Sequence, residues 1–436
     1  MSSLVVARPR ESARIPDRPQ SRTLGHSPVL DGLRGIAILL VLLAHTSVLP
    51  NGYVGVDLFF ALSGFLITTL LYEEWDRAGT ISLARFYKRR ARRLLPALGL
   101  LMVVALIVNF AVYSMTGWSF GWKALTSALF VNNWVAATGH AKDLGALNPT
   151  WSLAQEEQFY LLWPLLLVLM LRRRMRPELV GVFLVATIVL LVAISPAGHN
   201  YQVYYSPFNR AAELLFGCLG SVVWRHRMVC RAAVWVRSLG VALPTLAGFR
   251  GGPTRRWSGS AAWLRALAAC GLAYLFVKLL FNDQMTTEQI YLRACLIAVP
   301  LIMTLLSTPK GLMTRLIAIA PLRYLGRISY SLYLYHLLMR NVVYTYRPNG
   351  SIDVNALLTI GISVGLASVS WKLIESRVLA AGPRSTVSER PVAVQPRLVA
   401  QPAVLAAAAV RTRPTIRTHS PVRSQPPVLT EQGALA

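Results

Sequence analysis

Charged residues are scarce in this chain, and acids are the scarcer kind. Only 14% of its 436 residues are charged, with 18 Asp and Glu against 45 Lys and Arg. That low charge, with 54% hydrophobic residues and a mean hydropathy of +0.48, excludes an ordinary soluble globular domain and points to a membrane protein. Cysteine is also sparse. Cys218, Cys230, Cys270 and Cys295 have no metal-ligand spacing and sit in or beside apolar segments, so neither a metal site nor a disulfide framework is expected. Residues 1–28 lack a long apolar run, which excludes a cleavable signal peptide, and the first apolar helix is expected to serve as the targeting signal. No internal repeat is visible, which argues against a transporter built from inverted halves.

The basic residues that are present give a net charge of +27. In a soluble chain that excess would suggest nucleic-acid binding. Here it falls mainly in alternate loops, which the positive-inside rule explains more simply, so no nucleic-acid partner is expected. Apolar stretches of spanning length run over about 30–50, 53–72, 94–114, 152–171, 178–195, 207–224, 262–281, 289–306, 325–346 and 354–374. The expected fold is an all-α polytopic membrane protein of about ten transmembrane helices, with both termini cytoplasmic, multi-pass in the plasma membrane. The N-terminal arm, the YKRRARR loop, LRRRMR, the Arg-rich stretch 225–261 and PKGLMTR share the cytoplasmic face with the C-terminal tail. The opposite loops carry mainly Lys123, Lys142, Arg293 and Arg347.

Three regions follow: a disordered basic arm over 1–28, a transmembrane domain over 29–378, and a disordered Pro/Ala/Arg-rich tail over 379–436. Residues 120–138 are apolar but carry Lys123, Asn132 and Asn133, and are expected to form a re-entrant or interfacial helix. Residues 231–249, interrupted by Arg237 and Pro244, are expected as a cytoplasmic amphipathic helix.

Within the apolar background a few polar residues stand out. Arg34 and His45 are eleven residues apart in LDGLRGIAILLVLLAH, so both lie on one helix face, separated by a rise of about 16 Å. With Arg34 at a membrane surface, His45 would lie near the bilayer midplane, where an ionisable group marks a functional site. Arg85, Lys88, Arg89, Arg90, Arg92 and Arg93 precede LLP. They are either a stop-transfer signal or a phosphate clamp, because guanidinium forks match phosphate oxygens. Asp57 lies early in the second span, Glu156 and Glu157 open the fourth, and His336 closes SYSLYLYH in the ninth. Arg210 and Glu213, three apart, can pair on one face. For Arg210, Glu213 and Asp57 taken singly, structural pairing or a helix-end position is the favoured reading. An imidazole at His45 suits a general base, and a carboxylate such as Asp57 or Glu156 could orient it.

These motifs resemble the acyltransferase 3 family of multi-pass membrane O-acyltransferases, over about Leu30 to Arg377. The resemblance rests on DGLRGIAILLVLLAH, VDLFFALSGFLI, FYKRRARRLLPA, WSLAQEEQFYLLWP, FNRAAELLFG and LRYLGRISYSLYLYH in that order, with WKLIES at the close. The family spacing of Arg, ten residues and His is matched by Arg34 and His45. The pattern of two arginines, an aliphatic and proline is matched by Arg90, Arg93, Leu94 and Pro96. Gln155 stands where the family more often has an aliphatic, and Tyr335 where it often has Trp.

The resemblance implies transfer of an acyl group, usually acetyl, from cytoplasmic acyl-CoA to a hydroxyl of a glycan, a lipid-linked sugar or a small molecule. Acyl-CoA would be the donor substrate, with no permanently bound cofactor. Arg34, Arg90 and Arg93 would meet the CoA phosphates, with His45, Glu156 and Asp57 as catalytic candidates. Trp151, Arg210, Glu213 and His336 are candidate substrate contacts. Some family members carry a fused esterase-like extracytoplasmic domain; none is expected after Glu375 here, so a separate acyl-handling protein is a possible partner. Two alternatives are an exporter of an anionic solute and a non-catalytic homologue.

Overall fold

The structure, a computed structural model, describes residues 24, 27–112, 117–195, 201–226, 259–281 and 287–380. The segment 231–249, most of 225–261, nearly all of the N-terminal arm and the tail from 381 fall outside them. Every regular element among the described residues is helical.

Helix α1 (Pro28–His45) opens with Pro at its first position and Asp31 in its first turn, where a missing N–H and a negative charge both suit a helix start. It ends at His45, five residues before the expected span does. Ser47 adopts a left-handed φ of 62°, and the short turn Pro50–Tyr53 leads directly into α2 (Val54–Ala78). The Pro-Asn-Gly triplet at this turn supplies the required backbone conformations. His45 therefore closes a helix instead of lying inside a continuous span.

A second difference concerns the basic cluster expected as a loop. Helix α3 (Leu83–Val112) takes in both FYKRRARR and the third apolar stretch, passing through Pro96, so its arginines project from a helix. Residues 120–138 form α4 (Gly117–Ala128), a break at Phe130 (φ 55°) and a further short helix, Asn132–Val135. At 12 residues α4 is about 18 Å long and too short to span, in line with the expected re-entrant or interfacial element. The remaining long helices are α5 (Thr150–Arg172), α6 (Pro177–Ala193), α7 (Pro207–His226), α8 (Gly259–Leu280), α9 (Thr287–Ser307), α10 (Ala320–Tyr346) and α11 (Ile352–Ser370).

Among the described residues, four helical stretches, Pro28–His45, Pro50–Ala78, Leu83–Val112 and Ile352–Ala380, are long and apolar enough to cross a membrane. Apolar flanks are exposed: Val182 and Val189 on α6 and Ile107 and Phe110 on α3 face outward. Such faces suit lipid, because a monomer in water rarely shows large apolar patches.

Small residues bring the inner helices together. A Cβ at Gly326 of α10 would lie 1.8 Å from the Asp31 carbonyl oxygen, and one at Gly35 would lie 2.0 Å from that of Leu322. The α1 and α10 backbones thus approach as closely as glycine permits, which is how helices pack where no hydrophobic effect drives them together. Gly64 of α2 meets the Leu214 carbonyl of α7 in the same way, at 1.9 Å. Beyond α11, the wider turn Trp371–Glu375 points Glu375 inward, where it accepts hydrogen bonds from Ser370 and Ser331.

Gly326→Ala is expected to force α1 from α10 at a cost of about 1–3 kcal/mol, seen as a lower melting temperature of the purified protein in detergent. Gly361→Ala, where an added methyl meets nothing within 4 Å, is the control. Equal melting of the two variants would show that the close approach is absent.

Candidate active site

Three polar clusters lie along the α1–α10 contact and its neighbours. The first surrounds a cavity that is open to solvent. Arg34 from α1, Arg90 and Arg93 from α3, Ser63 from α2, and Glu156 and Tyr160 from α5 converge on it. Arg90 donates to Glu157 at 2.7 Å and lies 3.7 Å above the Tyr160 ring. Glu156 accepts from the Ser63 hydroxyl at 2.7 Å. Among the described residues, Arg34 and Arg93 are in no ion pair, although they repel each other. Two guanidiniums without an ion pair, with the Glu156 carboxylate acting on both, leave a positive wall beside the cavity that suits an anion. A second chamber shares Arg34, Ser63, Arg90, Arg93 and Tyr160 and continues outward to Ser27, Glu74 and Arg89. The arginines therefore sit at the waist of one passage.

The second cluster is a histidine pair. His45 and His336 have ring centroids 4.8 Å apart, at 71°. His45 Nδ1 lies 2.9 Å from the Val41 carbonyl, and His336 Nδ1 lies 2.6 Å from that of Tyr333. A carbonyl only accepts, so each Nδ1 bears the hydrogen and each Nε2 keeps its lone pair. Both rings are thus presented as bases. His45 is half-buried, whereas His336 is 1% exposed and its Nε2 has no hydrogen-bond partner. Arg340 Nε holds the His45 carbonyl at 2.6 Å, and Tyr53 packs edge-on against the His45 ring.

The third cluster is fully buried. Arg210 donates to Asp57 at 2.6 Å, to Glu213 at 2.8 Å, and through Nε to the Tyr204 carbonyl at 2.8 Å. Its guanidinium lies over the rings of Tyr291, Tyr204 and Trp151, at 3.9, 4.5 and 5.3 Å. The expected Arg210–Glu213 pair is present, with Asp57 as a third member.

This placement corrects one expectation. Among the described residues no carboxylate contacts His45: Asp57 is held by Arg210 and Glu156 by Ser63, and a backbone carbonyl fixes the imidazole instead. The ten residues singled out from sequence are divided rather than convergent. Arg34, Arg90, Arg93 and Glu156 form the chamber, His45 and His336 the pair, and Asp57, Trp151, Arg210 and Glu213 the buried ion cluster. Tyrosines join them. Tyr333 lines the chamber, shares a hydrogen bond with Ser152 at 2.7 Å, and has its ring 5.4 Å from that of His336. Tyr204 is 6.0 Å from Tyr53, which reaches His45. Sequence reasoning missed Tyr333 and Arg340; their positions three before and four after His336 put all three on one helix face.

Replacing Arg210 by Met would strand two carboxylates in the interior. A loss of about 3–5 kcal/mol in stability is expected, with Asp57→Asn costing less, both measured by thermal unfolding of the purified protein. An Arg210→Met variant as stable as the wild type would remove the ion cluster from the account.

The comparisons bear on what this arrangement belongs to. Over 368 residues the chain is 28% identical to the peptidoglycan O-acetyltransferase OatA of Listeria monocytogenes, covering 80% of this chain and 55% of that protein. It is 29% identical over 368 residues to the O-acetyltransferase OatA of Staphylococcus aureus, covering 80% of this chain and 57% of that one. The chain thus spans little more than half the length of these relatives. No solved structure matches it. The acyltransferase domain model (Acyl_transf_3) matches residues 28–374, the stretch that holds all three clusters, and the chain belongs to that family.

Proposed function

We propose that this protein is a multi-pass O-acyltransferase of the plasma membrane, which takes an acetyl or other acyl group from cytoplasmic acyl-CoA and places it on a hydroxyl of a surface glycan. The observation that carries this reading is the passage lined by Arg34 and Arg93, which are in no ion pair, together with the imidazole pair beside its wall, where the Tyr333 ring lies 5.4 Å from that of His336. The relatives' names support an acetyl group and a glycan acceptor. In the topology that fits the charge pattern, the long helices make ten spans. The arginine chamber then opens on the cytoplasmic side and the end of α1 points away from it.

In this mechanism Arg34 and Arg93 hold the donor's phosphates, and Arg90 is kept in place by Glu157. The thioester arm must cover most of the rise between Arg34 and His45, about 16 Å along α1. His45 is the reacting base, because it is the imidazole that a substrate can reach. Its Nε2 takes the proton of the acceptor hydroxyl as that oxygen bonds to the thioester carbonyl carbon. The C–S bond then breaks, and the departing thiolate receives the proton from the imidazolium. Acceptor ester and free CoA thiol result, and the imidazole returns to its neutral form. His336, buried beside it, positions the ring, and Arg340 anchors the helix end on which His45 sits.

The test is the full chain in lipid nanodiscs with acetyl-CoA labelled in the acetyl group, following label transfer and release. His45→Ala is expected to lower turnover about 10²–10⁴-fold, and His336→Ala by less. Equal turnover by wild type and His45→Ala would end the catalytic role of His45, and no turnover by the wild type would end the acyl-CoA reading. Arg93→Ala is expected to weaken acetyl-CoA binding about tenfold by equilibrium dialysis, the loss of one charge-assisted contact. Unchanged affinity would leave that arginine as a topology signal only.

A further inference from the structure

A second cavity, also open to solvent, lies at the other end of the same helices. On α3, Asn109 lines it while Arg93 lines the arginine chamber; sixteen residues separate them, about 24 Å of helix. On α10, Ser329 lines the chamber and Asn341 the second cavity, with His336 between. His336 is about 10 Å along the axis from the first and about 8 Å from the second. The histidine pair therefore stands between two cavities, of which the mechanism above uses one.

The polar chemistry of the second cavity is consistent in sign. Lys123 of α4 and Lys142 supply two ammonium groups, Asn109 and Asn341 two amides, and Tyr344 and Thr345 two hydroxyls. Among the described residues that line it, none is acidic. Asn109 is 5% exposed, and its Nδ2 has no hydrogen-bond partner, so a donor is held in the wall without an acceptor. A buried amide in that state costs free energy unless something fills its need. Phe120, Leu144 and Leu338 provide an apolar floor, suited to the carbon face of a sugar ring. The cavity is also linked to the pair: Tyr344 lies under the Arg340 guanidinium at 4.8 Å, and Arg340 holds the His45 carbonyl. Lys123 and Lys142 are two of the few basic residues on the side opposite the arginine-rich face.

We infer that this cavity is the acceptor site and that it selects a glycan bearing an oxyanion, either a carboxylate or a phosphate diester, whose charge rests on Lys123 and Lys142 and whose acceptor oxygen meets Asn109. The acceptor role rests on the acyl-transfer reading; recognition of the anionic sugar does not. The site gives the acceptor its own entrance, so donor and acceptor reach the imidazoles from opposite ends of α10.

Direct binding separates the two claims. The full chain in nanodiscs is titrated calorimetrically with three probes: a neutral N-acetylglucosamine oligomer, an oligomer of like length bearing glucuronate, and one bearing glycerol phosphate. At least one anionic probe is expected to bind about tenfold or more tightly than the neutral one, and which one does so names the oxyanion. Lys123→Gln with Lys142→Gln should remove that preference, whereas Lys123→Arg with Lys142→Arg should retain it. Binding of CoA by the same preparations checks that the variants are folded. Equal binding of all three probes, or a preference that survives the double Gln variant, would overturn the inference. Charge-dependent binding in a protein that transfers no label would sustain the recognition of the anionic sugar and remove the acyl-transfer reading, and the acceptor role with it.

Discussion

The close contact of α1 with α10 is the constraint on which the rest of the site depends. It exists because glycine occupies both sides: no Cβ fits at Gly35 or Gly326 without striking the opposing backbone. With the two helices locked in register, Arg34 falls opposite the end of α10 that carries Ser329 and Tyr330, and both of those line the same chamber. Three turns further on, His45 meets His336. The hydroxyl of Tyr330 reaches the Leu94 carbonyl, and that of Tyr335 the Ala97 carbonyl, so α3 is tied to the same pair of helices. A shift of one turn along α1 would move both ends of this arrangement by about 5 Å and separate the imidazoles.

Much of the architecture is legible in the sequence because membrane helices announce themselves by apolar length. Each of the ten expected stretches overlaps a long helix, and the polar break at 120–138 appears as short helical pieces. Turn chemistry was harder to weigh. The apolar character of TSVLP carried the first expected span past His45, whereas Ser47, Pro50, Asn51 and Gly52 turn the chain there. The basic run before Pro96 read as a loop by charge alone, yet Lys and Arg are good helix formers and simply extend α3.

Of the site, the residue types were legible and the pairings were not. Arg210 and Glu213 share a helix, so their contact follows from spacing. The contact of Asp57 with Arg210 joins residues 153 apart, and that of His45 with His336 joins helices distant in the chain. No periodicity encodes either. The tyrosines were overlooked for a different reason. Tyr333 and Tyr204 look like interfacial aromatics in a linear reading, and only packing shows that one lines the chamber beside His336 and the other covers Arg210.

Arginine occurs in both kinds of cluster, and the number of partners assigns its role. Arg210 is 0% exposed and has two carboxylates, a backbone carbonyl and three aromatic rings around it. Burying a guanidinium is costly, and that many partners offset much of the cost, although Arg210 Nη2, Asp57 Oδ2 and Glu213 Oε2 have no hydrogen-bond partner. Arg34 and Arg93 are half-buried beside open space, in no ion pair, with Glu156 acting on both from a distance. Nothing in their surroundings offsets their charge as fully, so an incoming anion gains what the fold has withheld. The same accounting applies at the imidazoles, where backbone carbonyls take both Nδ1 hydrogens and leave both Nε2 lone pairs uncommitted. Arg34 and Arg93, then His45 and His336, then Asn109 follow one another from one end of α3 and α10 to the other, which is the order in which the proposed transfer would use them.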